Sequence, residues 1–382
     1  MTQTMHEPSD ETLIQLLTPE GERRSHAEYD SYVQDVDAEM LRSFYRDMAL
    51  TRRFDQEATA LQRQGQLALW VPLRGQEAAQ IGSGRATRPT DYIFPTYREH
   101  GVALTRNVDF PQMLRIFRGI SNGGWDPRDN NFHMYTMVLA AQMPHATGYA
   151  MGIQRDQAGW DAERLDKEGE AVVAYFGDGS STEGDVHESM VFAASFNAPV
   201  VFFCQNNQWA ISVPFHVQSK VPLAERAAGY GFPGIRVDGN DVLAVLAVTR
   251  WALERARRGE GPVLIEAVTY RMSAHTTADD PTKYRLSADE EAWVGRDPIA
   301  RLEKHLRDSN LADEAFFEQV IEDGHEMANR VREEAMAFPD PTLAQSFANV
   351  YAEAHPLIQE ELKWHLEYEA GFAETAEEEA TR

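Results

Sequence analysis

Two short stretches carry residue types and spacing that could do chemistry. In the first, the apolar run EAVVAYF (170–176) stops at Gly177-Asp178-Gly179, a carboxylate held between two glycines. Glycine lets backbone amides approach a phosphate closely, and a helix that follows adds the positive end of its dipole. A carboxylate there would repel a bare phosphate, so the arrangement makes chemical sense with a divalent cation between them. The second stretch is Asn206-Asn207, which ends the next apolar run, APVVFFCQN, after a spacer spanning 180–205. Two strands joined by one helix put both ends on the same edge of a sheet. Asp178 and an asparagine amide oxygen would then face one point, and oxygen donors suit magnesium. Gly-Asp-Gly alone reads as an ordinary turn, and Asn-Asn alone as a common strand end. The ordered combination is the selective feature. Other phosphate motifs are excluded: the chain has no G-x-x-x-x-G-K-[ST] loop, and the Gly177 turn lacks the third glycine of a dinucleotide fingerprint.

The elements that must position these residues are legible in the middle of the chain. EAVVAYF, APVVFFCQN, GIRVDG and GPVLIEAVTYR are short apolar runs bounded by Gly or Pro. Between them lie the helical stretches GDVHESMVFAASF, PLAERAAGYG and NDVLAVLAVTRWALERARRG. Apolar strands alternating with helices predict an α/β fold, a doubly wound parallel sheet covered on both faces. Ligands bind such sheets beyond the carboxyl ends of the strands. Before this region, Leu41, Phe44, Met48, Ala58 and Leu61 recur near helical spacing, with Gly65 as the stop. RGQEAAQIGSGRA predicts a shorter helix packed through small residues. Three regions follow: an arm at 1–37, the α/β domain at 38–310, and an acidic helical region at 311–382 whose last ten residues are expected to fray.

Composition excludes several function classes. The 36 basic and 61 acidic residues give a formal charge of -25, which repels nucleic acid and anionic membranes. The single cysteine, Cys204, cannot form an internal disulfide, and a cytoplasmic location is expected. The acidic start MTQTMHEPSDE does not read as a signal peptide, and APVVFFC is too short to cross a membrane.

GDG, a spacer of this length and NN together resemble the signature of thiamine-diphosphate-dependent enzymes. Over 38–310 the chain is similar to alpha subunits of the decarboxylating dehydrogenase component of 2-oxo acid dehydrogenase complexes. TYREHG (96–101), GYAMG (148–152), VDGNDV (237–242) and TYRMSAHTTADDPTKYR (269–285) add to the likeness in the family's order. The resemblance implies that Asp178, the Asn207 side chain and the Trp209 carbonyl ligate magnesium. It also implies that Gly179 and Ser180 offer backbone amides to the diphosphate, while Tyr97, Arg98 and His275 approach its oxygens. An arginine fork matches phosphate geometry. Leu139 would present its backbone near the aminopyrimidine ring.

The implied reaction is decarboxylation of a 2-oxo acid, with thiamine diphosphate as electron sink and acyl transfer to a lipoyl group on an acyltransferase core. A beta subunit would supply the activating glutamate and an assisting histidine, giving an alpha2-beta2 heterotetramer with active sites at the alpha–beta contacts. FFCQNNQWAIS, VDGND and HTTADD look closer to the branched-chain type than to the pyruvate or acetoin type. Two departures stand out. Gln205 occupies the place of an arginine in branched-chain relatives, which puts one phosphate contact in doubt. Met137, Val138 and Ala141 replace the relatives' potassium ligands, with Gln142 alone retained, so potassium binding is doubtful.

The loop carrying Asp279, Asp280, Tyr284 and Arg285 reads equally as a cover over the cofactor that meets the lipoyl partner and as a solvated surface. Thr276 matches a serine phosphorylated in some relatives, and no kinase is predicted for it. Trp70 and Leu69 are candidates for pocket lining. Two rival classes remain at this stage, a non-catalytic acidic scaffold and a metal-dependent hydrolase using Asp178 and His275.

Overall fold

A computed structural model describes residues 13–348 and 350–380, with side chains to 372. The start of the arm at 1–12 falls outside what is described; of the last ten residues, expected to fray, 373–380 continue the final helix and 381–382 lie outside the described residues. The strands are β1 (Tyr92–Phe94), β2 (Val172–Gly177), β3 (Val200–Asn206), β4 (Trp209–Ala210), β5 (Val213–Pro214), β6 (Gly234–Asp238) and β7 (Val263–Val268). Five of them form a parallel sheet in the order β1-β2-β3-β7-β6, while β4 and β5 make a separate antiparallel pair. The chain therefore leaves β3 for the far edge at β6 and returns to insert β7 between them.

Side chains alternate between two cores, as the two-residue period of a strand requires. Val173, Tyr175, Val201, Phe203, Val263 and Ile265 enter one apolar cluster. Val172, Ala174, Phe176, Val200, Phe202, Cys204 and Leu264 enter the other. Strands buried on both faces have no polar side to display, which is why these runs are apolar throughout.

The first long helix runs Ala38–Arg63, with the Asp37 side chain capping Met40 N–H at 2.9 Å. Its expected apolar positions, Leu41, Phe44, Met48, Ala58 and Leu61, are all buried. Gly65 ends it in the left-handed region at φ 76°. The helix Glu77–Ala86 packs against Val242–Arg257 so closely that a Cβ at Gly82 would lie 2.8 Å from the Val242 carbonyl. Small residues there are a requirement of close approach.

Residues 13–17 extend the sheet region, because Ile14 bridges Val237 in parallel beside β6. The amides of Leu16 and Leu17 both donate to Asp241 Oδ2 at 2.6 Å, while Oδ1 of the same carboxylate caps the helix Val242–Arg257. At the other end, helix Glu314–Ala337 packs along Ala38–Arg63, and a final helix spans Pro356–Ala380. Strand β1 and the β4–β5 pair are not predicted from the sequence: three- and two-residue strands carry too little periodicity to register. PLAERAAGYG forms a 3-10 turn, Leu223–Glu225, and one short helix, Arg226–Tyr230, where a single helix is expected. Among the described residues no helix is long and apolar enough to cross a membrane.

Candidate active site

Strands β2 and β3 end level with each other, Gly177 pairing with Gln205. Asp178 and the asparagine pair therefore emerge side by side at the carboxyl edge of the sheet. A cavity of about 170 Å³ lies there. Its lining includes Tyr97, Arg98, Leu139, Asp178, Gly179, Ser180, Asn207, Trp209 and His275, the nine positions to which the resemblance gives a cofactor or metal role. These come from five separate stretches of chain.

Asp178 is 1% exposed, and its hydrogen-bond donors are neutral. Oδ1 accepts from the Asn207 amide at 3.3 Å and Oδ2 from Gln218 Nε2 at 2.9 Å. Burial pushes its carboxyl up to about 6, with the Gln218 hydrogen bond opposing the rise. The two asparagines part company. Asn206 turns into the sheet, where its amide donates to Glu266 Oε1 at 2.7 Å. Asn207 faces the cavity: its Nδ2 donates to Gln76 Oε1 and its Oδ1 accepts from the Trp209 amide, both at 3.3 Å. The turn that presents Asn207 and Trp209 passes through Gln208 at φ 72° and Ile211 at φ 51°, left-handed conformations that cost energy for residues other than glycine.

After Asp178 the chain enters a tight turn, Gly179–Thr182, whose first closing bond runs from Ser181 N–H to the Asp178 carbonyl at 3.1 Å. The Gly179 and Ser180 amides precede that bond and are not used by the turn. A Cβ at Gly179 would lie 2.9 Å from Ala210 Cβ, so only glycine fits between the turn and β4.

The cationic wall comes from the loop after β1 and the segment after β7. Arg98 Nη1 donates to the Pro72 carbonyl. Its Nη2 lies 3.0 Å from the His275 carbonyl and 3.3 Å from His275 Nδ1. Arg271, fully buried, reaches the same Nδ1 at 3.4 Å and donates to the Trp209 carbonyl at 3.1 Å. Two guanidiniums donating to Nδ1 place the ring's own proton on Nε2. Burial, then Arg98 and Arg271, hold the His275 imidazole down to about 3, so it is neutral. Burial and Arg98 lower Arg271 to about 10. Among the described residues neither arginine forms a salt bridge with a carboxylate; Arg98 lines the cavity, and Arg271 stands behind His275 and the Trp209 carbonyl.

The loop 275–285 is tied down by several bonds. The His275 amide donates to Asp279 Oδ2 at 2.8 Å, Tyr284 Oη donates to the same oxygen, and Arg271 Nη2 donates to Tyr284 Oη at 3.0 Å. Arg285 pairs with Glu290 at 2.8 Å, while Asp280 is exposed. Thr276 accepts from the Ala278 amide at 3.2 Å.

Gln205, at the position of the missing arginine, is buried. Its Nε2 donates to Glu99 Oε1 at 2.6 Å and its Oε1 accepts from Gln80 Nε2 at 3.1 Å. Burial raises the Glu99 carboxyl despite the two Thr96 donors. Gln142 donates to the Tyr175 carbonyl at 2.6 Å, and Val138 is exposed.

The pocket-lining expectation for Trp70 and Leu69 is corrected: neither lines the cavity. Trp70 is wholly buried, stacks on His100 at 4.4 Å and donates Nε1 to Asp55 at 2.8 Å. Sequence reasoning missed Gln76, Thr96, Glu99, Gln218 and Arg271. Arg271 could have been noticed, since it lies in the quoted stretch TYRMSAHTT; single glutamines far apart in sequence carry no local signal. Among the described residues no group of three His, Cys, Asp or Glu side chains is arranged to hold a metal ion.

An acid, an amide oxygen and two arginines converging beyond the strands of a doubly wound sheet define an α/β protein with an anionic-ligand site. The chain belongs to the dehydrogenase E1 component family, whose pattern matches residues 45–343. Its members are thiamine-diphosphate-dependent oxidoreductases. The chain is 44% identical over 351 residues to the 3-methyl-2-oxobutanoate dehydrogenase subunit alpha of Mycobacterium tuberculosis, covering 91% of each protein. It is 36% identical over 339 residues to the pyruvate dehydrogenase E1 component subunit alpha of Acholeplasma laidlawii, covering 87% of this chain and 94% of that one. The corresponding subunit of Bacillus subtilis is 34% identical over 361 residues, covering 94% and 93%.

Proposed function

We propose that this chain is the alpha subunit of a branched-chain 2-oxo acid dehydrogenase, a 3-methyl-2-oxobutanoate dehydrogenase that decarboxylates its substrate and acylates a lipoyl group. The observation that carries the reading is the gathering of Asp178, Asn207, Trp209, Arg98 and His275 around one cavity. Higher identity to the branched-chain relative than to the pyruvate relatives supports the substrate class.

The donors fit magnesium. Asp178, the Asn207 amide oxygen and the Trp209 carbonyl are all oxygens, as a hard cation prefers. A buried carboxylate with neutral donors is short of positive charge, which a divalent ion would supply. Arg98, the Nε2–H of His275 and Tyr97 would hold diphosphate oxygens, together with the Gly179 and Ser180 amides. Leu139 would meet the aminopyrimidine ring with its backbone. Thiamine diphosphate supplies the electron sink when bound.

The chain's own part is to bind, charge-balance and orient. The neutral state of His275 suits a hydrogen-bond donor beside phosphate more than a second cation. A cavity of about 170 Å³ is small against the roughly 300–1,000 Å³ of a whole small-molecule site. It suits the diphosphate end alone, with a beta subunit completing the site in an alpha2-beta2 assembly and a lipoyl domain as acceptor. On this reading the α/β domain at 38–310 carries cofactor binding, the flanking regions serve packing and assembly, and the setting is cytoplasmic.

The test is co-production with the beta chain, followed by decarboxylation assays on branched 2-oxo acids and pyruvate. A preference for 3-methyl-2-oxobutanoate is expected, with each chain inactive alone. Preference for pyruvate would reject the substrate assignment. Turnover without thiamine diphosphate would reject the reaction.

A further inference from the structure

Gln218 is far from Asp178 in sequence, yet it is the side chain that meets the outer oxygen of that carboxylate. It ends the short helix Phe215–Gln218 that follows β5. Its Nε2 donates to Asp178 Oδ2 at 2.9 Å and to the Val213 carbonyl at 3.2 Å. Its Oε1 is shut off from solvent and accepts no hydrogen bond among the described residues. That oxygen lies 4.0 Å from where a Cβ on Gly179 would stand, so it borders the turn that lines the cavity. A buried acceptor without a donor costs about 1–3 kcal/mol, so something in the working state should supply the donor.

We propose that Gln218 is a positioning residue for the cation site: Nε2 holds Asp178 Oδ2 so that the carboxylate keeps one orientation, and Oε1 accepts from a water bound to the cation. This rests on the function proposed above and adds a residue to it. The geometry explains why one amide serves both ends. The bond to Val213 fixes the donor end against the β4–β5 segment, which also carries Trp209. One side chain thereby couples the carboxylate to the strand pair that presents the carbonyl donor. An aliphatic side chain of equal length would fill the space and leave Asp178 held by the Asn207 amide alone.

The experiment uses the assembled alpha–beta complex with thiamine diphosphate and Mn²⁺ as the probe cation. Mn²⁺ affinity is read by calorimetry or electron paramagnetic resonance for wild type, Gln218→Met and Gln218→Ala. Loss of an outer partner of a metal ligand typically costs about 10–100-fold in affinity. The Mn²⁺ Kd should therefore rise by about tenfold or more in both variants. Excess Mn²⁺ should restore thermal stabilisation, which a general packing defect would not allow. Wild-type Mn²⁺ affinity in Gln218→Met would overturn the proposal. So would a holo crystal structure of the wild-type complex in which Gln218 Nε2 has left Asp178 Oδ2, a measurement that needs no variant to fold. Absence of any Mn²⁺ effect on the wild-type complex would instead reject the cofactor site itself.

Discussion

Asp178 carries opposite demands, and the two can be separated by experiment. Its carboxyl is raised from 3.8 to about 6 by burial. A raised native value means the stability contribution is full below about pH 4 and is lost as pH rises through about 6. Above that, the buried charge costs on the order of 1–3 kcal/mol unless a cation offsets it. Asp178→Asn should therefore raise the melting temperature of the metal-free complex at pH 7.5 and abolish any gain from thiamine diphosphate with Mg²⁺. His275 works in the other direction. Its native value, lowered from 6.5 to about 3, makes the unfolded state bind more protons in that window, so stability falls as pH drops from about 6.5. His275→Asn should lose less stability than wild type between about pH 6.5 and 4 in urea titrations, because the substitution removes that proton uptake. Arg98→Lys keeps the charge but not the planar fork that spans Pro72 and His275. Its thiamine diphosphate Kd should rise by about tenfold or more, scaled from the roughly 1.5–3 kcal/mol of a charged hydrogen bond.

At the scale of elements, Asp241 does the work of two contacts. One oxygen caps the helix Val242–Arg257, and the other holds the amides of Leu16 and Leu17. Asp241→Ala loses a cap worth about 1 kcal/mol and leaves two arm amides without their acceptor. A lower melting temperature is expected, together with new cleavage within residues 13–24 on limited proteolysis. An unchanged digestion pattern would mean that the arm is held by its apolar contacts. The elements also show where sequence patterns run out. Apolar runs bounded by Gly or Pro marked β2, β3 and β7, because burial on both faces leaves a continuous signal, while the half-buried edge strand β6 was marked by its flanking glycines. β1 has three residues, and β4 and β5 have two each, so no period can be measured in them. Yet β1 leads into the loop carrying Tyr97 and Arg98, and β4 contains Trp209.

For the whole molecule, the mouth of the cavity is unlike the acidic surface around it. Val138 is 71% exposed and Ile211 54%, beside Leu139 on the cavity wall. An apolar rim on a chain of charge -25 is the kind of surface a partner chain covers. Ile211→Asp should weaken alpha–beta association in sedimentation while leaving the isolated alpha chain folded. Unchanged assembly would move the contact elsewhere.

The sequence by itself determined the doubly wound class, the long helices and the pair of strand ends that share one edge. Those features rest on local pattern and on a spacing that fits a strand–helix–strand unit. It also marked nine of the sixteen residues that line the cavity, through motifs that resemble a known family. The resemblance named Asn207, but only tertiary structure gave the physical reason: both asparagines stand at the same strand end, and Glu266 on β7 draws Asn206 away. Tertiary structure alone brought Arg271 beside His275 and Gln218 beside Asp178, and it placed Trp70 in the core. Contacts between residues distant in the chain are set by how layers pack, and no local period records them.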